Sequence, residues 1–124
     1  SKNRFELDGN VANISNVYTN QNGKKILRFD LAQNNNGNTQ YVPIVLRGEL
    51  VNSYGNEIQK GDWISVKGRI STYQKDVERD GKTYKDKAID ILGFEITDRK
   101  NNKVYTSDGD IRDLEEKSNS EMER

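Results

Sequence analysis

The sequence has no cysteine and no histidine, and only one proline, one methionine and one tryptophan. Without cysteine there is no disulfide framework, no thiol nucleophile and no thiolate metal site. Without histidine there is no imidazole base and no ordinary zinc site, so hydrolytic chemistry would rest on carboxylates alone. No apolar run approaches the roughly 20 residues of a membrane helix. No signal-peptide core follows Ser1-Lys2-Asn3-Arg4, so a cytoplasmic protein without membrane contact is expected. Large apolar side chains are scarce too. Leu, Ile, Val and Phe together number 28 of 124 residues, close to the roughly 20% at which disorder becomes the expectation. Only Val104, Ile111 and Leu114 of these lie beyond residue 97. The pattern predicts one folded domain over 1–97 and a polar, acidic-ended, disordered tail over 98–124. A short helical turn around Ile111 and Leu114, capped by Asp110, is the most structure expected there.

Formal net charge is zero, but it is unevenly spread. Residues 1–107 carry 17 Lys and Arg against 13 Asp and Glu, while residues 108–124 carry 3 against 7. A basic body with an acidic end suits a body that meets an anionic partner.

What is present is strand-like alternation. Phe5, Leu7, Gly9 and Val11 share one face of a first run, and Leu27, Phe29 and Leu31 share that of a second, after an Asn22-Gly23 turn. The polar run from Asn34 to Asn38 reads as a loop. Val42, Ile44 and Leu46 then alternate with Tyr41, Val45 and Arg47. From Gly48 to Lys60 the spacing of Leu50, Val51, Tyr54 and Ile58 turns helical, and Gly61 ends it. Alternation returns with Ile64, Val66 and Ile70 opposite Trp63, Lys67, Arg69 and Tyr73. Asp80-Gly81 marks a hairpin tip before Tyr84, Ala88 and the run to Ile96. The prediction is an all-β fold: a five-stranded OB-fold Greek-key barrel, one short helix between strands three and four, and a long hairpin joining strands four and five.

Chemistry-bearing clusters are sparse. Asp76, Glu78 and Asp80 near the hairpin tip, with Asp108 and Asp110 in the tail, could hold Mg²⁺ for a carboxylate-dependent nuclease, but a solvated charged surface is the simpler account. No glycine-rich phosphate loop and no calcium loop is present, so no catalytic residue, metal or cofactor is expected. Binding is better supported. Outward Tyr41, Arg47, Trp63, Lys67, Arg69 and Tyr73 interleave aromatics with cations, which suits single-stranded nucleic acid: bases stack on rings while cations follow phosphates. Lys75 and Tyr84 extend this set along the hairpin. Each has a plainer reading. Tyr41 could be an ordinary surface tyrosine, Trp63 a subunit-interface residue, and the hairpin lysines a solubilising face. Tyr54, on the helical stripe, belongs to the core.

The run Asn3-Arg4-Phe5-Glu6-Leu7-Asp8-Gly9-Asn10-Val11 resembles the opening strand of the bacterial single-stranded DNA-binding proteins. Asn22-Gly23-Lys24 with Phe29-Asp30-Leu31-Ala32 is similar to their second strand, and the run from Gln40 to Leu50 to their third strand and helix. Lys60-Gly61-Asp62, Val66-Lys67-Gly68-Arg69-Ile70 and Asp80-Gly81-Lys82-Thr83-Tyr84 follow in the family's order. The resemblance implies a non-enzymatic homotetramer or dimer that wraps single-stranded DNA with little sequence preference in replication, recombination or repair. It implies Tyr41 as a stacking residue and Arg4 and Lys60 as basic positions near the DNA. The full expected binding set is Arg4, Lys24, Arg28, Tyr41, Arg47, Lys60, Trp63, Lys67, Arg69, Tyr73, Lys75 and Tyr84. Departures are also visible. Arg47 and Lys75 replace common aromatics, the loop between strands two and three lacks a tryptophan, and the end Ser120-Glu121-Met122-Glu123-Arg124 lacks the acidic tip that recruits protein partners. The alternative function is an OB-fold assembly subunit of a replication or transfer complex, with incidental DNA contact and its aromatics buried between subunits.

Overall fold

The computed structural model describes residues 1–114. Strands β1 (Phe5–Ala12), β2 (Tyr18–Thr19), β3 (Lys25–Asn35) and β4 (Asn38–Arg47) precede a short helix α1 (Glu49–Ser53) and a 3₁₀ turn (Tyr54–Asn56). Two long strands follow, β5 (Trp63–Arg79) and β6 (Lys82–Asp98), then β7 (Lys103–Thr106) and β8 (Ile111–Asp113). Strands β1, β3, β4, β5 and β6 form the expected five-stranded barrel with the helix between its third and fourth strands. The sheet runs β2-β3-β1-β5-β6-β7-β8, and β4 closes the barrel by pairing antiparallel with β3 and parallel with β6 at Val45–Leu92. No helix among the described residues is long and apolar enough to cross a membrane.

The alternating residues fill the interior. Val11, Leu27, Phe29, Leu31, Ile44, Leu46, Ile64, Val66 and Ile96 are buried, and α1 with the 3₁₀ turn plugs one end with Leu50, Val51 and Tyr54. The helical spacing thus spends only Glu49–Asn56 in helical turns; Glu57–Asp62 is a turn stitched by Asp62 N–H to the Gln59 carbonyl (3.1 Å) and by the Asp62 carboxylate accepting from Gln59 N–H (3.0 Å). The tips at Asn36-Gly37 and Asp80-Gly81 have positive φ at both residues, the geometry of the tight two-residue hairpin turn. Asn34, Asn35 and Asn38, expected in a loop, are therefore in strand ladder.

Four expectations change. Val45 is not outward in the sense of exposed: it is 3% accessible. Both neighbours on its outer face are occupied, Arg28 across on β3 and Leu92 across on β6, and an Arg28–Asp90 ion pair (3.4 Å) joins the flanking strands. Ile70 does face the barrel's side of β5, yet it is 41% exposed, because the hairpin projects beyond the closed barrel from that point. The ordered chain also runs further than residue 97. Arg99–Asn102 turns the chain back, Asn102 taking positive φ, and β7 pairs with Glu95–Asp98 of β6. Tyr105 enters the core with its ring 5.2 Å from that of Tyr54. Ile111, expected in a helical turn, is in the edge strand β8. The expected tail from Glu115 onward, including the terminal partner-recruiting segment, lies outside the described residues.

Candidate nucleic-acid interface

The outer face is organised by the ladder β3-β4-β6-β5. Arg28, Val45, Leu92 and Arg69 form one cross-strand row, and Tyr18, Ile26 and Arg47 form the neighbouring one. Arg47 and Arg69 therefore converge where β4 meets β6. Together with Lys24, at the turn feeding β3, they line a cleft of about 600 Å³ whose other walls are Gly48, Glu49, Leu92, Gly93, Phe94 and Ser107. Three cations against one carboxylate give the cleft a positive field suited to phosphate oxygens.

Arg4 is drawn to the same place by local hydrogen bonding. The Asn3 side chain donates to the Ile70 carbonyl (2.6 Å) and accepts from Ile70 N–H (2.9 Å), which ties the N-terminal segment to β5. Arg4 then lies over the Phe94 ring, 5.7 Å from its centroid. That separation is within cation–π range.

Tyr73, Lys75 and Tyr84 occupy the outer face of the projecting hairpin. Tyr73 stands opposite Ala88, Lys75 opposite Asp86, and Tyr84 opposite Val77, so the two tyrosines share a face without pairing directly. Both are exposed, at 42% and 46%. Several hairpin charges are engaged with each other: Lys85 with Asp76 (2.5 Å) and Arg79 with Asp86 (2.9 Å). Asp76 is thus committed to an ion pair, and no group of three acidic side chains placed to hold a metal ion occurs among the described residues.

Tyr41, 57% exposed, sits at the other end of the outer face of β4. It stands six residues from Arg47, roughly 20 Å along an extended strand. It shares a cross-strand row with Ala32, Asn10 and Trp63. Beside Trp63 lies a depression lined also by Asn10, Ala32, Gln33, Asn34, Asn35 and Thr39. Lys60 belongs to this end, next to Gly61, whose carbonyl accepts from the Asn10 amide (3.1 Å).

Lys67 is the outlier of the expected set. It lies across from Glu95, with which it pairs at 3.5 Å, and Glu95 also accepts from Arg112 at 3.5 Å. Lys67 and Arg112 thus share the one Glu95 carboxylate, on the far side of a β-bulge from Arg69. The structure therefore brings Lys24, Arg47 and Arg69 together in the cleft, with Arg4 beside them on Phe94 and Arg28 in the adjoining row paired with Asp90. It lays Tyr73, Lys75 and Tyr84 along the adjoining hairpin, and it sets Tyr41, Trp63 and Lys60 on a separate stretch.

Two further aromatic residues lie on this face outside the expected set. Tyr18 is 61% exposed on β2 and stands in the row of Arg47; the Tyr18-Thr19 run before Asn22-Gly23 was the available signal. Phe94 reads from sequence as one more core position of β6. A bulge, which periodicity does not reveal, turns it into the wall of the cleft.

A family model described as the single-strand binding protein family matches residues 2–94. Among solved structures, the chain is similar to the mitochondrial single-stranded DNA binding protein Rim1 of S. cerevisiae, with a TM-score of 0.60 and 20% identity over 77% of this chain and 93% of that one. At that identity the likeness is one of fold. No curated protein matches by sequence.

Proposed function

The chain belongs to the single-strand binding protein family, and on that premise we propose that it binds single-stranded DNA with little sequence preference and without catalysis. The observation that carries this reading is the continuity of one outer face: a cationic cleft holding Lys24, Arg47 and Arg69 adjoins a hairpin that exposes Tyr73 and Tyr84. Phosphates would follow Arg4, Lys24, Arg28, Arg47, Arg69 and Lys75. Bases would stack on Tyr73 and Tyr84, and on Tyr41 and Trp63 at the other end, each stack contributing about 1–3 kcal/mol. Lys60 would extend the field beside Trp63, while Lys67, paired with Glu95, contributes least. The cellular role is coverage of exposed strands in replication, recombination or repair, in the cytoplasm.

We further read the protein as a dimer or tetramer. Strand β1 pairs with β3 only through Asn10–Ala12, which leaves the flank of Phe5–Gly9 on that side without a ladder partner among the described residues apart from the Gln33 amide on the Asp8 carbonyl (2.9 Å). An unpaired strand flank is a template for a second chain. The assembly-subunit reading is favoured by one observation, the half-exposed Trp63 close to that flank. Fluorescence anisotropy of a labelled oligo-dT, against a duplex of equal length, separates the two. Tight binding of the single strand only is expected, and equal or absent binding would remove the DNA-binding reading.

A further inference from the structure

Strand β6 carries one residue more than β5 where the barrel closes. Lys67 stands opposite Glu95 but Gly68 stands opposite Gly93, so Phe94 has no partner on β5. Bulges of this kind bend the strand and re-aim a side chain, often beside a binding site. Here the extra residue is half-buried and borders both the cationic cleft and the shallower depression formed by Ser1–Arg4. Arg4 lies over its ring. The turn between β7 and β8 closes the cleft from the other side through Ser107, held there because the chain packs near Glu49 at Gly109. The result is an aromatic wall with cations around it. No interior role accounts for Phe94, since its ring lines two surface depressions rather than the core cluster.

We propose that this cleft is a nucleotide subsite in which one base of a bound single strand stacks against Phe94 while its flanking phosphates meet Arg47 and Arg69. The subsite rests on the DNA-binding reading above and adds a stacking position made by the bulge. A cleft of about 600 Å³ has room for a nucleotide. An aromatic wall with Arg4 on one side and Arg47 and Arg69 lining the same cleft serves both the base plane and the phosphate charge.

The test compares a labelled oligo-dT with an abasic oligonucleotide of the same length, titrated into the wild-type protein, Phe94→Leu and Phe94→Trp. The wild type binds oligo-dT more tightly than the abasic strand. Phe94→Leu weakens oligo-dT binding roughly 5- to 150-fold, the equivalent of one stacked base, and weakens abasic binding far less, by no more than the loss of the Arg4 contact. In Phe94→Trp, oligo-dT binding is retained and the added tryptophan emission is quenched by oligo-dT and not by the abasic strand. Equal losses on both strands in Phe94→Leu would show that Phe94 only positions Arg4, and no loss, or no quenching in Phe94→Trp, would show that no base stacks there; either overturns the subsite while leaving the DNA-binding reading intact. A wild-type protein that binds neither strand would overturn that reading itself.

Discussion

Gly68 and Gly93 face each other across β5 and β6 at the one point where the ladder slips. A Cβ on Gly68 would lie 1.8 Å from the Leu92 carbonyl oxygen and 2.5 Å from the Phe5 ring, and one on Gly93 would lie 2.8 Å from a Leu46 methyl. The close approach of these two backbones closes the barrel and leaves Phe94 over. Both glycines are required by space, since neither has positive φ.

Gly68→Ala is therefore expected to destabilise the fold by about 1–3 kcal/mol or more, because the blocking atoms include backbone. Gly93→Ala, which meets mainly side-chain methyls, should cost less. Chemical denaturation of the two variants measures the difference, and equal stability with wild type would place the bulge elsewhere.

Truncation of Arg47 should act through charge. Arg47→Ala is expected to weaken binding to single-stranded DNA and to flatten the slope of log K against log salt by about 0.7, the contribution of one phosphate contact to a single strand. Lys67→Ala serves as the contrast, since its ammonium is already paired with Glu95. An unchanged slope in Arg47→Ala would move the phosphate path away from the cleft.

Tyr41→Ala should do the opposite. Loss of a stacking surface is expected to weaken binding by about 1–3 kcal/mol with the salt slope nearly unchanged. The same substitution at Tyr18 tests whether the strand extends along the row of Arg47 onto β2. Titrations at several salt concentrations distinguish the two kinds of loss.

Alkaline pH should destabilise the protein through Tyr54. Complete burial, reinforced by the nearby Asp62 and Asp98 carboxylates, pushes its phenol far above the ordinary value of 10. The folded state therefore keeps the proton that the unfolded chain releases above pH of about 10, and stability falls as pH rises past that point. Burial raises Tyr105 in the same direction. Tyr54→Phe removes the titrating phenol and should shift the alkaline melting transition upward. An alkaline transition left unchanged by Tyr54→Phe would contradict that assignment.

Much of the barrel was legible because period two and one change to helical spacing are local signals. Phe5 to Val11, Leu27 to Leu31 and Ile64 to Val66 bury as their alternation requires. What was illegible depends on contacts distant in sequence. Val45 is covered because β4 is flanked on both sides, and Ile70 is exposed because the barrel closes just before it. The strand at Lys103–Thr106 carried a weak signal, Asn101-Asn102 before Val104 and Tyr105, but a four-residue run is too short to show a period. At the interface, residue type named the cations and aromatics; sequence could not tell that Lys67 is ion-paired with Glu95, nor that a bulge turns Phe94 to the surface.

The most direct measurement is equilibrium titration with oligo-dT of increasing length at several salt concentrations. Binding that tightens with length and falls steeply as salt rises is the predicted result, since cations and stacking surfaces along one face add with each nucleotide covered. No binding at low salt, or binding indifferent to both length and salt, would contradict the assignment of this face to single-stranded DNA.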